Sequence, residues 1–302
     1  MKRALIIIAA HKMCAFPHIK YHVPMCVGAF RNREKYSWIP DTMFDDTAED
    51  NISSLNSIYN ELTGHYYVWK NIHEYEYYGL CHYRRYFNFN TKYNGYPRIP
   101  VSTSYAANRK QFGWGGGHNI DDILDKYDVI AAQKETDTPP QYLSLYDSHS
   151  ARVSDQNSLS LLEECIAELY PDFCTDAKAY FSQNKKSMFN MFIMKKSVFE
   201  DYSKWLFDIL DLYEKKLQMR GVIKLDRSAG FMGEHLLNIY LYHLEREKVC
   251  IGYLQTVMIN ETSEHPSFLM RVKAFIKTCF GMIFPYGTKR RDTIKWKYFM
   301  KS

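Results

Sequence analysis

His82, Arg84 and Arg85 close a stretch, Glu76 to Phe87, that reads Glu-Tyr-Tyr-Gly-Leu-Cys-His-Tyr-Arg-Arg-Tyr-Phe. The aromatic and apolar residues Tyr77 to Cys81 favour a strand, and the cationic groups fall where it ends. An extended trace puts His82 and Arg84 on one face and Arg85 on the other. Open α/β sheets bind ligands beyond the carboxyl ends of their strands, and a guanidinium there offers planar, paired donors that suit phosphate. The same arginines could equally pair with surface carboxylates. His11, with Lys12, follows the apolar run Ala4 to Ala10 at the end of a second predicted strand, where a base or ribose can lie. Glu234 stands at a predicted helix start after a glycine-containing turn. It is either a general base or a glutamate stabilised by the helix dipole. The acidic run Asp41 to Asp50 reads as a solvated loop, yet Asp45, Asp46 and Asp50 keep a metal site open.

These groups need elements to position them. Leu55, Tyr59, Leu62, Tyr66 and Trp69 recur at steps of four and three, which predicts one helix over 53–70 with a core-facing stripe. A short link, Asn71 to Glu74, leads from it into the strand that ends at His82. Further along, strands are expected over 128–132, 188–194 (carrying Asn190) and 249–259. Helices are expected over 119–126, 159–170 and 197–217, the last two opened by the capping-box pairs Ser160/Glu163 and Ser197/Glu200. Phe199, Tyr202, Leu206, Ile209 and Tyr213 form the buried face of the long helix. The Gly-rich stretch Asn88 to Gly117, with Trp114, reads as a mobile acceptor-side loop. Residues 226–233 read as a polar approach to the helix at Glu234. Alternating strands and helices indicate an α/β fold.

Several of these segments carry a family resemblance. Asp50-Asn51-Ile52-Ser53, Glu61-Leu62-Thr63, Tyr66 to Asn71 and Gly79 to Phe87 belong to it. So do Asn190 to Met194 with Trp205-Leu206-Phe207, and Gly230-Phe231 with Glu234 before Leu236-Leu237-Asn238. Over residues 4 to 260 the chain resembles the bacterial glycosyltransferase family catalogued as domain of unknown function 4422, whose members occur in capsule and O-antigen synthesis. His235 departs from the pattern, which has arginine after the glutamate. The resemblance implies a nucleotide-sugar transferase fold of the GT-A type, with a largely parallel central sheet flanked by helices. It implies transfer of galactose, in pyranose or furanose form, from a nucleoside-diphosphate donor, UDP-linked, to a lipid-linked polysaccharide. His11, His82, Arg84, Arg85 and Asn190 are then the donor contacts, and Glu234 the catalytic carboxylate. GT-A enzymes carry an acidic metal-binding motif after a central strand, where this chain has His82-Tyr83-Arg84-Arg85. Cationic side chains can stabilise a leaving diphosphate in place of a metal, so no cofactor is firmly implied. Manganese or magnesium remains open through the aspartates.

Composition sets the outer bounds. A chain of 302 residues holds one large domain or two small ones. The net charge of +5 is a property of the tail: from Arg271 onward there are nine Lys or Arg and one acid, while the rest has 30 basic and 33 acidic residues. That excludes a generally basic, nucleic-acid-binding fold. The division expected is a catalytic domain over 1–265 and a basic amphipathic tail over 266–302, suited to an anionic membrane surface. Seven unpaired-looking cysteines, a first strand in place of a signal peptide and no apolar run long enough to span a bilayer suggest a cytoplasmic, membrane-peripheral protein. The rival from another class is a non-catalytic carbohydrate-binding scaffold.

Overall fold

The computed structural model describes residues 1–11, 16–36, 41–91, 97–101, 106–115, 119–136, 143–152, 158–221 and 227–259, with positions 272, 276 and 283. Its strands are β1 (Lys2–Ala10), β2 (His22–Cys26), β3 (Met43–Phe44), β4 (Tyr75–His82), β5 (Arg85–Phe87) and β6 (Arg98–Val101). They continue as β7 (Val129–Ala132), β8 (Glu135–Thr136), β9 (Lys185–Lys186), β10 (Phe192–Lys195), β11 (Ile251–Leu254) and β12 (Thr256–Ile259). The helices are α1 (Ala29–Tyr36), α2 (Asn56–Tyr59), α3 (Leu62–Asn71), α4 (Ala106–Gln111) and α5 (Asn119–Lys126). Then come α6 (Leu145–Arg152), α7 (Ser158–Leu169), α8 (Cys174–Ser182), α9 (Lys196–Met219) and α10 (Ser228–Arg246).

The main sheet runs β11-β7-β10-β4-β1-β2-β3. β1 is its spine: Ile6, Ile7 and Ile8 are all buried, because apolar material covers both faces. Leu5, Ile7 and Ala9 join the core shared with α3, α7, α9 and α10, while Ala4, Ile6, Ile8 and Ala10 face the second core with α5, Phe87 and Trp114. β1 pairs in parallel with both β2 and β4. The sheet as a whole is mixed, since β10 runs antiparallel to β4 and to β7. Nothing in an apolar run such as Phe192 to Met194 encodes its direction.

Several elements depart from their expected form. The helix over 53–70 is three pieces: a 3-10 turn Ser53–Leu55, then α2, then α3, broken at Asn60, whose φ is +49°. Its stripe nonetheless packs on the core as expected. The extended trace through Phe87 turns back at Tyr83-Arg84, and β5 pairs antiparallel with β4 through His82 and Arg85. Residues 249–259 form two strands that break at Gln255, β11 on β7 and β12 on β5 and β6. Ser160 lies inside α7 and bonds Tyr146 at 2.9 Å, and α9 begins after Lys195 with no side-chain cap, so neither capping box forms. Trp114 belongs to no mobile loop: it is 1% exposed and its indole N–H donates to the Phe87 carbonyl at 2.8 Å.

No helix among the described residues is long and apolar enough to cross a membrane. The basic tail over 266–302 lies outside the described residues, apart from Val272, Ile276 and Ile283, which are helical and exposed.

Candidate functional site

A cleft of about 710 Å³ opens beyond the carboxyl ends of β1 and β4. Ala9 and His11 line it from β1, and His82, Tyr83, Arg84 and Arg85 from the turn after β4. Opposite stand Asn56, Ser57, Asn60 and Glu61 from α2 and its junction with α3. Arg227, Gly230, Phe231 and Glu234, from the start of α10, complete the wall with Phe189. Two neighbouring parallel strands thus deliver their ends to one crevice, the geometry expected of ligand sites in α/β sheets.

The two-residue turn between β4 and β5 decides where the arginines go. His82 and Arg85 are paired across the hairpin, so both arginines face the same cleft although simple alternation separates them. The half-buried Arg85 guanidinium stacks on the Phe189 ring, 4.1 Å from its centroid, and Arg84 lies 5.0 Å from the Tyr83 ring. Neither guanidinium has a hydrogen bond or ion pair among the described residues. Burial, then the neighbouring Arg84, lowers the Arg85 pKa. His82 is pushed below the usual histidine range, chiefly by burial. Its Nε2 meets the Phe189 carbonyl, which only accepts, so Nε2 carries the proton in the neutral ring. His82 therefore brings no positive charge to a phosphate at neutral pH. His11 is exposed, its ring edge-on to Tyr83 at 5.4 Å.

Glu234 lines the cleft but from the second turn of α10, which starts at Ser228, so its role is not that of a helix-start carboxylate. Both of its oxygens are held: Oε1 by Lys186 at 2.9 Å and Oε2 by the Phe189 amide at 3.0 Å. Asn190 lies behind the wall at 2% exposure, in a turn ahead of β10 and not on the strand. Its Nδ2 donates to Glu61 Oε1 at 2.8 Å and to the Gly230 carbonyl at 3.1 Å, so it positions cleft residues instead of lining the cleft. His235 points away from the cleft, into a buried chain with Tyr180 and His149 at 2.9 and 3.1 Å.

The acidic run is structural where it is buried. Asp45, 0% exposed, accepts from the Gly28 and Ala29 amides at the start of α1 and from the Ser53 and Thr63 hydroxyls. Asp46 pairs with Arg33, and Asp50 accepts from Tyr66. None of the three lines the cleft. Among the described residues no three His, Cys, Asp or Glu side chains gather as a metal would require.

Glu61 and Arg227 are cleft residues that the sequence reading passed over. Arg227, left-handed at φ +66°, anchors its amide on the Ser57 carbonyl at 2.8 Å and holds its guanidinium 5.3 Å from the Phe231 ring. A signal existed for Glu61, since Glu61-Leu62-Thr63 is one of the segments shared with the resembling family.

The family model for DUF4422, a domain of unknown function, matches residues 5–246. No curated protein matches the chain in sequence. Among solved structures, the apo structure of WbbM, a bifunctional glycosyltransferase, is similar at 28% identity and a TM-score of 0.75. The match covers 88% of this chain and 48% of WbbM, so this chain spans about half the length of that protein.

Proposed function

The chain belongs to the DUF4422 family, and on that premise we propose that it is a glycosyltransferase using a nucleoside-diphosphate sugar. The observation that carries this reading is Arg85, a half-buried guanidinium stacked on Phe189 with no hydrogen bond or ion pair among the described residues. Half-buried charged donors are ordinarily paired, and an unpaired one facing a cleft calls for an anion. Arg84 and Arg227 line the same cleft, so three guanidinium groups are available to an anion there. The similarity to WbbM supports sugar transfer as the use of that anion. Galactose in pyranose or furanose form, a UDP-linked donor and a lipid-linked surface polysaccharide as acceptor follow from the family resemblance.

In transfer, the bond between the anomeric carbon and the diphosphate breaks, and its electron pair leaves with the phosphate. Fixed guanidinium groups lining the cleft stabilise that developing charge, which supports a reaction independent of a divalent cation. The basic tail is proposed to hold the enzyme at an anionic membrane surface on the cytoplasmic side, near a lipid-linked acceptor.

A thermal-shift panel of nucleotide sugars and nucleoside diphosphates, with and without manganese, tests the reading, because a ligand bound only by the native state raises apparent stability. The expected result is stabilisation by one nucleoside diphosphate and its sugar conjugate, equal with and without manganese. Stabilisation by free saccharides alone returns the protein to a non-catalytic carbohydrate-binding role.

A further inference from the structure

We propose that Glu61, not Glu234, is the carboxylate that takes the proton from the acceptor hydroxyl; the assignment rests on the sugar-transfer reading above. Both carboxylates line the cleft, but they are held differently. Each Glu234 oxygen already has a donor, Lys186 on one and the Phe189 amide on the other. A hydroxyl approaching Glu234 meets an oxygen that already accepts one hydrogen bond, and on Oε1 the donor is a cation that holds the electron density. Glu61 accepts a single hydrogen bond, from Asn190 Nδ2 on Oε1, and Oε2 has no partner among the described residues. A general base needs that free lone pair within hydrogen-bond reach of the proton it removes.

The chain around Glu61 is shaped to present it. Asn60, at φ +49°, breaks what the sequence pattern makes one continuous helix, and Glu61 follows at the break. The break is matched from across the cleft by Gly230. A Cβ on Gly230 would sit 2.5 Å from Asn60 Nδ2, so a larger residue there would push the Asn60 side chain aside. Asn190 then ties Glu61 Oε1 to the Gly230 carbonyl through one amide group. Both carboxylates act electrostatically on His82 and Arg85, and Glu61 lines the same cleft as that pair. His82 is the other acceptor nearby. Burial keeps its pKa below the usual range, so its ring takes up a proton poorly.

The step balances without an oxidant or a cofactor. The acceptor oxygen attacks the anomeric carbon, and its proton passes to Glu61 Oε2. The carbon–oxygen bond to the diphosphate breaks, and the electron pair leaves on a phosphate oxygen facing Arg84 and Arg85.

Turnover and donor affinity, for the full chain and for Glu61→Gln and Glu234→Gln, test the assignment. Glu61→Gln should lower kcat by about 10²–10⁴-fold and hold donor Kd within about threefold. Glu234→Gln should lower kcat less than Glu61→Gln does. Azide, a nucleophile with no proton to lose, should speed donor consumption by Glu61→Ala and yield the glycosyl azide, without doing so for Glu234→Ala. Wild-type turnover matched by Glu61→Gln, or azide rescue of Glu234→Ala alone, overturns the assignment and leaves the transferase reading standing. A wild-type protein that binds no nucleotide sugar overturns both.

Discussion

The backbone amide of Phe189 donates to Glu234 Oε2 at 3.0 Å and so ties α10 to the turn that precedes β10. The same residue accepts the His82 Nε2 proton on its carbonyl and supports the Arg85 guanidinium on its ring. Asn190, next in the chain, reaches Glu61 and the Gly230 carbonyl. Two consecutive residues therefore contact four ionisable groups of the cleft, Glu61, His82, Arg85 and Glu234. Both are left-handed, at φ +80° and +47°. Such non-glycine backbone costs on the order of 1–3 kcal/mol per residue and persists where surrounding contacts over-determine it.

Phe189→Gly separates the main chain of this turn from its ring. Glycine adopts the observed φ without strain and keeps both main-chain hydrogen bonds, while the stacking partner of Arg85 is lost. Folding stability should stay within about 1 kcal/mol of wild type. Nucleoside-diphosphate affinity should fall by about three- to tenfold, the scale of a cation–π contact. Calorimetric titration reads the second quantity, and unchanged affinity would show that the ring does not position Arg85.

Arg85 itself should behave as a group kept for its ligand. Replacing an unpaired, half-buried cation by an apolar residue of similar length removes a desolvation cost, so Arg85→Met should melt at or above the wild-type temperature without ligand. The same variant should lose roughly ten- to a hundredfold in nucleoside-diphosphate binding, the value of one charge-assisted hydrogen bond or two. Arg84→Ala should weaken binding in the same direction. If both variants bind as wild type does, the arginine wall is not the diphosphate site.

Much of this arrangement is local and so was legible in the chain. Continuous apolar runs marked β1 and the strand through Cys81, and parallel strands that end together bring His11, His82, Arg84 and Arg85 to one crevice. What was hidden depends on contacts between distant segments. The stripe from Leu55 to Trp69 is equally regular whether or not the helix breaks, and the break at Asn60 is matched by Gly230, 170 residues later. Glu61 was visible only as part of a shared segment, and its place in the cleft was hidden for that reason. Phe189 and Asn190 sit in an apolar run that reads as strand, and their left-handed turn follows from partners on β4, α3 and α10. The aspartates of 41–50 look alike in sequence, and only the fold turns Asp45 inward.

Asp45 should therefore matter for stability. Its carboxylate serves two amides and two hydroxyls at distances of 2.6–2.9 Å. Asp45→Ala leaves four donors facing a cavity, and a loss of about 3–5 kcal/mol is expected, the scale for breaking a buried charged network. Urea unfolding measures it. A loss below about 1 kcal/mol would mean that water replaces the carboxylate at no cost, and would reopen a different role for this residue.

His65 supplies a pH dependence that involves no ligand. The ring is 1% exposed among Phe192, Phe199, Tyr202 and Phe207, and burial lowers its pKa to about 3. Ser203 gives its own hydroxyl proton to the Phe199 carbonyl at 2.6 Å, so His65 Nε2–H must donate to Ser203 Oγ at 2.8 Å. Nδ1 is then the unprotonated nitrogen, buried and without a hydrogen-bond partner among the described residues. A proton added there is a buried cation with no acceptor. The unfolded chain binds that proton near the ordinary histidine value of about 6.5, and the folded chain refuses it. The contribution of His65 to stability is thus complete above pH 6.5 and is lost as pH falls towards 3. Within that window each unit of pH costs about 1.4 kcal/mol per such histidine. His22, lowered to about 4 by burial, adds to the slope in the upper part of the same window. Urea unfolding at pH 7, 6 and 5 should show stability falling with pH, and His65→Leu should reduce the slope by about one proton's worth. An unchanged slope in His65→Leu would show that His65 stays neutral in the unfolded chain as well, or takes its proton in the folded one.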